Sequence, residues 1–153
     1  VGAGGSVIVT SKGDARIVAS ARTFNRLRGG TYGQFIPAIG AEEGVGAGDR
    51  ALQILQLEES ERFRSDIGIV ELTGNPVVVE VTVLSPTALA AATMEIALKA
   101  NEYRQLDGLL RNVGILTDNA RVTLRVTSGS GRVGGYASVV DKRTGDPTYV
   151  PAQ

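Results

Sequence analysis

Val77-Val78-Val79-Glu80-Val81-Thr82-Val83-Leu84 and Ala120-Arg121-Val122-Thr123-Leu124-Arg125-Val126 decide the fold. In the first stretch Val77, Val79, Val81 and Val83 fall on one side of an extended chain and Glu80 and Thr82 on the other. In the second, Val122, Leu124 and Val126 alternate with Arg121, Thr123 and Arg125. Side chains two apart share a face of a strand, so both stretches predict strands with one face in a core and one in water. Asn75-Pro76 opens the first and Ser85-Pro86 closes it, because proline and the residue before it resist both helix and ladder continuation.

Working outward, Leu72-Thr73-Gly74-Asn75 predicts a turn that joins a preceding strand, about Phe63 to Leu72, to the valine-rich one. Ser11-Lys12-Gly13-Asp14 and Ser128-Gly129-Ser130-Gly131 supply residues tolerant of positive φ and predict two more hairpin turns. Thr87 to Gly114 is rich in good helix formers, yet Met94, Ile96 and Leu98 alternate with Glu95, Ala97 and Lys99, which predicts a strand there, and Tyr103 to Leu106 another short one. One short helix is expected after it, N-capped by Asp107, carrying Leu109, Leu110 and Val113, and ended by Gly114. Ile39 to Gly48, with glycine at 40, 44, 46 and 48 beside Glu42 and Glu43, reads as a mobile surface loop. Short strands at this spacing predict an all-β antiparallel sandwich, a single domain over residues 1–153.

The two ends of the chain resemble each other. Val9-Thr10-Ser11 matches Val126-Thr127-Ser128, Arg16-Ile17 matches Arg132-Val133, Ala21 matches Ala137, Asn25-Arg26 matches Asp141-Lys142, and Gly29 matches Gly145. Gly30 and Thr31 are extra in the first copy, after which Phe35-Ile36-Pro37-Ala38 matches Tyr149-Val150-Pro151-Ala152. Each copy reads strand, turn, long strand, polar loop, short strand. The expectation is an approximate two-fold repeat inside one sandwich, with the end segments in equivalent positions of the two sheets.

A chain of 153 residues and 15.9 kDa folds to roughly 7,000 Å² of surface when compact and buries a core without staples. Lys plus Arg and Asp plus Glu are 16 each, so no net field draws the chain to nucleic acid or an anionic membrane. No apolar stretch approaches the roughly 20 residues of a membrane helix. The absence of histidine and cysteine removes Ser-His-Asp and Cys-His catalysis, imidazole and thiolate metal sites, and disulfides. Val rather than Met stands first, which reads as a mature product or an excised piece.

Tyr32-Gly33-Gln34-Phe35-Ile36-Pro37-Ala38, Phe63-Arg64-Ser65-Asp66-Ile67-Gly68, and Tyr136-Ala137-Ser138-Val139-Val140-Asp141 with Thr144 to Ala152 resemble the signature segments of an immunoglobulin-like β-sandwich module of secreted and cell-surface bacterial proteins. The resemblance spans nearly the whole chain, with Asp66 where that pattern usually has Asn. It implies an extracellular or cell-surface protein and a non-catalytic module, often beside other domains in a longer chain, with no shared active site and no cofactor.

Side chains that carry chemistry fall in a few places. Asp141 and Asp146 flank Lys142-Arg143-Thr144-Gly145; they either offer oxygens to Ca²⁺, a poor cage with two cations between them, or bond their own backbone in a polar loop. Glu58, Glu59, Glu61 and Asp66 interleave with Arg62 and Arg64 as a salt-bridged surface. Neither group predicts a metal. Arg16, Arg22, Arg26 and Arg28 lie near Phe24 and Tyr32, a setting for an anionic glycan, a cell-wall polymer or a protein partner, or else stems laid over sheet faces. Tyr103 is the ring expected to be exposed. Sixteen acids contain pairs by chance alone, and nothing selects two of them for glycoside hydrolysis. Gly2 to Gly5 precedes a strand, whereas phosphate loops follow one and open a helix. The expectation is thus a non-catalytic spacer, adhesive or self-assembling unit whose partner is another protein or itself. The alternative is a carbohydrate-binding module that uses Arg22, Arg26, Tyr103, Asp141 or Asp146. In the first case the terminal segments, Val1 to Val9 and Tyr149 to Gln153, would pair with neighbours through open strand edges.

Overall fold

A computed structural model describes residues 5–13, 15–87 and 90–153. Its strands are β1 (Ser20–Leu27), β2 (Gly30–Pro37), β3 (Leu52–Glu59), β4 (Phe63–Glu71), β5 (Val77–Leu84), β6 (Ala90–Leu98), β7 (Tyr103–Leu106), β8 (Thr117–Gly129), β9 (Val133–Asp141) and β10 (Pro147–Pro151), with one short α-helix, α1 (Leu109–Asn112). Two antiparallel four-stranded sheets, ordered β10-β9-β4-β7 and β3-β8-β5-β6, pack face to face as an all-β sandwich. The two stretches that decided the fold are the adjacent inner strands β5 and β8, paired in register from Val79↔Val126 to Leu84↔Arg121. Their valines and Leu124 meet Ile67, Ile69, Val133 and Ala137 of the opposite sheet, and Leu109 and Leu110 join the same core.

Local signals explain the ends of several elements. α1 stops at Gly114, φ 76°, where Ile115 N–H donates to Leu110 O at 2.8 Å and Gly114 N–H to Arg111 O at 3.0 Å. This pair of bonds is the Schellman motif, which needs a residue at ease with positive φ. The expected cap at the other end is corrected. Asp107 accepts from Gln105 Nε2, and the N-cap is Gly108 at φ 55°, whose N–H donates to Asp66 Oδ1 at 2.8 Å. A carboxylate from β4 thus fixes the backbone that enters α1, and no side chain caps the helix.

Ile39 to Gly48 is a second correction. It holds a 3-10 helix (Ala41–Glu43), and Val45 exchanges both backbone hydrogen bonds with Val133 at 2.9 and 2.8 Å. Gly44 is needed for close approach rather than for motion: a Cβ there would lie 2.7 Å from Leu72 Cδ1.

The end repeat is kept locally and lost globally. β1 pairs β2 from Ser20↔Pro37 through Phe24↔Gly33, the register of Tyr136↔Pro151 through Val140↔Pro147 in β9 and β10. The flanking bond repeats too, Ala38 N–H to Ala19 O and Ala152 N–H to Gly135 O, each 3.1 Å. However, β8, β9 and β10 lie within the sandwich, whereas β1 and β2 form a two-stranded sheet of their own and residues 7–10 join no strand. The end segments therefore do not occupy equivalent positions of two sheets, and the expected two-fold relation inside one sandwich is absent. Periodicity reports which face a strand buries, not which sheet it enters.

Tyr149 to Gln153 is an edge held at its end: β10 pairs β9 on one side and is the edge strand of its sheet, while Gln153 exchanges hydrogen bonds with Gln53 at 2.7 and 2.9 Å, which ties the end of the chain to β3 across the sandwich. Val1 to Gly4 and Asp14 lie outside the described residues. The chain exposes 9336 Å², well above the roughly 7,000 Å² of a compact domain of this mass.

Candidate functional site

The connections β4–β5, β6–β7 and β8–β9 each pass from one sheet to the other, and they meet at one buried carboxylate. Glu71 follows Ile67 and Ile69 on the inward face of β4 and is 1% exposed. Its Oε1 accepts from Thr73 N–H at 2.7 Å and Thr73 Oγ1 at 2.6 Å, and its Oε2 from the N–H groups of Gly74, Asn75 and Asn101 at 2.8, 3.2 and 2.8 Å. Thr73 Oγ1 accepts in turn from Arg132 N–H at 3.2 Å, which brings in the β8–β9 connection. Burial by itself would raise the Glu71 pKa, but the hydrogen bonds from Thr73, Asn101 and Gly74 outweigh it and hold the value at about 2. The arrangement satisfies a fixed anion with backbone amides and leaves it no lone pair to offer a ligand or a proton.

The opposite end holds an ion-pair network between the β3–β4 and β9–β10 turns and α1. Glu59, wholly buried, accepts from Arg111 at 2.8 Å and Lys142 Nζ at 2.9 Å through Oε1. Arg62 pairs with Asp141 at 3.1 Å and lies over the Phe63 ring, 5.0 Å from its centroid; Arg64 pairs with Asp66 at 3.1 Å. Of the two readings of the Asp141 to Asp146 loop, Asp141 follows the second and bonds its own backbone. Asp141 Oδ1 accepts from Arg143 N–H at 2.8 Å and Thr144 N–H at 3.4 Å. The Arg143 amide and the Arg62 side chain lower its pKa against the opposing effect of burial. Asp146 is exposed, and its backbone N–H donates to Thr144 Oγ1 at 3.1 Å. Of the interleaved acids and arginines expected to form a salt-bridged surface, Arg64 and Asp66 pair with each other, whereas Arg62 takes Asp141 and the buried Glu59 takes Arg111 and Lys142, partners distant in sequence.

Tyr103 is corrected from exposed to half-buried. Its hydroxyl lies 3.0 Å from Tyr136 Oη and donates to Gln105 Oε1 at 2.9 Å, and Tyr136 stacks on Tyr149 with centroids 5.3 Å apart. Burial first, then Tyr136, raises the Tyr103 pKa beyond the ordinary tyrosine range. Three rings from β7, β9 and β10 thus cross the outer face of one sheet. Gly68 of β4 makes room for them, since a Cβ there would sit 2.4 Å from Tyr136 Cε1 and 3.1 Å from Tyr103 Cε2. Because Tyr136 is held on both sides, Gly68→Ala is expected to cost about 1–3 kcal/mol through overpacking, measured as a lowered urea midpoint at unchanged slope. An unchanged midpoint would mean that the rings do not pack over this strand.

Arg22 and Arg26 lie exposed on β1, in a sheet separate from that of Tyr103. The β1–β2 hairpin leans on that sheet through Gln34, whose amide donates to Ser138 Oγ at 2.6 Å and accepts from it at 2.9 Å. A shallow cleft of about 180 Å³ lies where the hairpin meets the β9–β10 turn, lined by Thr23, Phe24, Asn25, Tyr32, Gly33, Gly145 and Pro147. None of Arg22, Arg26, Tyr103, Asp141 and Asp146 lines it, so the expected binding residues are not brought together. What reasoning from sequence missed is the apolar surface of residues 5–38: Val7, Ile8, Val9, Ile17, Val18, Phe24 and Phe35 are large, apolar and exposed. The signal for it was present in the match of Val7 and Val9 to the buried Leu124 and Val126.

Comparison with known proteins yields no relative: no family model matches the chain, and no curated protein or solved structure is similar to it.

Proposed function

We propose that this chain is a non-catalytic structural and interaction module of an exported protein, working by surface complementarity with another protein surface. The observation that carries the reading is the exposed apolar run from Val7 to Phe35. Seven of the nine large apolar side chains exposed among the described residues fall in this segment, and burying them against a partner removes surface that water disfavours. The engagement of three buried carboxylates supports it from the other direction: Glu71 and Asp141 hold turns and Asp66 holds the entry to α1, while Glu59 binds Arg111 and Lys142 through Oε1 and leaves Oε2 without a partner. Export and an immunoglobulin-like kinship rest on the resemblance of the Tyr32, Phe63 and Tyr136 segments. The carbohydrate alternative lacks an observation of this kind, because Arg22, Arg26 and Tyr103 do not converge.

Light scattering after size exclusion, run over a hundredfold range of concentration, tests the proposal. The apparent mass should rise above 15.9 kDa with concentration, indifferent to millimolar Ca²⁺, and the double substitution Val7→Asp with Phe35→Asp should return it to the monomer. A constant monomer mass for both proteins would overturn self-association and turn attention to glycan binding.

A further inference from the structure

We propose that residues 5–38 are the last three strands of a copy of the module whose complete form is residues 39–153, and that their apolar surface is closed by the β3–β7 part of another copy. The inference rests on the interaction reading above and names the partner.

Three observations carry it. The β1–β2 hairpin reproduces the β9–β10 hairpin pair for pair, and the bond from Ala38 N–H to Ala19 O reproduces that from Ala152 N–H to Gly135 O. Val7, Val9 and Ile17 stand in water although their counterparts are buried. Val7, 90% exposed, matches Leu124, and Val9 and Ile17 match Val126 and Val133. Leu124, Val126 and Val133 are covered because the two sheets pack on each other, with β8 set between β3 and β5 and β9 beside β4. Residues 5–38 contain no counterparts of β3, β4 and β5. Residues 7–10 pair with no strand, and Ser6 Oγ donates to Asn101 O at 3.1 Å.

The third observation concerns packing between two matched positions. A Cβ on Gly135 would lie 2.6 Å from Leu124 Cδ1, so one side chain must be small for the other to be long. The matched residues are Ala19 and Val7. The first copy gains a Cβ where it loses the δ-methyls, the exchange required if the segment of residues 5–10 packs against β1 as β8 packs against β9.

The occupant follows from the sandwich itself. A surface built like β8–β10 fits the β3–β7 surface that β8–β10 covers in residues 39–153. The test extends the full chain at residue 1 with a second copy of residues 39–116, the part that precedes β8, and follows backbone hydrogen exchange. Amides of residues 7–10 and 15–19 should exchange as open backbone in the unextended chain and slow by about 100-fold or more in the extended one. Extension by the same residues in scrambled order should leave them fast. Val7→Asp with Val9→Asp in the extended chain should restore fast exchange over residues 7–38 and leave 45–153 protected. Equal exchange with and without the extension, or slowing by the scrambled one, overturns the inference. Slowed exchange in a chain that stays monomeric when unextended would uphold it and overturn only self-association.

Discussion

Replacing Glu71 by Ala is expected to destabilise the protein by about 3–5 kcal/mol, because it leaves buried donors unsatisfied at a point where three connections meet. The donors are the amides of Thr73, Gly74, Asn75 and Asn101 and the Thr73 hydroxyl. Water could replace the carboxylate only by opening the turns that exclude it. The same site sets a pH dependence. With the folded pKa held at about 2 against an ordinary 4.5, the unfolded chain takes up the proton first as the medium is acidified. Stability of about 3 kcal/mol is therefore fully present above pH 4.5 and lost as pH falls toward 2. Urea unfolding at pH 7, 4.5 and 3 measures it. The wild type should weaken across this window, and Glu71→Gln should start weaker and show a flatter profile. Parallel profiles for the two proteins would place the acid sensitivity elsewhere.

Leu124→Ala and Val7→Ala should differ by most of the stability that a core leucine supplies, although their positions match in the repeat. Leu124 is fully buried between β3 and β5 and faces Gly135. Truncation removes its transfer free energy and leaves a cavity that Gly135 cannot fill, a loss of about 3–4 kcal/mol. Val7 stands in water, and its truncation should change stability by less than about 0.5 kcal/mol. Chemical denaturation of both variants checks the pair. Comparable losses would mean that residues 5–38 already share the core of the sandwich.

The strands that alternate strictly were legible in the sequence: β5, β8 and β6 each bury one face, and a period of two reports that directly. β3 was not. Leu52 and Ile54 point inward two apart, but the next inward residue is Leu57, because Gln56 at φ 58° inserts a bulge and shifts the register against β8. A bulge erases the period that pattern reading depends on. The hairpin register of the end repeat was legible, since matched residues carry matched pairings; its place in the molecule was not, since the sequence of one segment does not state which strands flank it. Glu71 could have been found. It lies two residues beyond Ile69 on the inward face and immediately before Leu72-Thr73-Gly74-Asn75, and a carboxylate at that position has turn amides within reach. Tyr103 was misread because its neighbour Tyr136 and the clearance over Gly68 come from strands distant in sequence.

Native-state hydrogen exchange on the unextended chain tests most directly whether β3 to β10 form the stable module and residues 5–38 its open, associating part. The slowest amides should lie in β4, β5, β8 and β9 and share one opening free energy, with residues 7–19 exchanging without protection and β1 and β2 far faster than β9 and β10. Residues 7–27 exchanging in the same class as β8 and β9 would contradict it, and the chain would then be one cooperative unit with no half-built copy to complete.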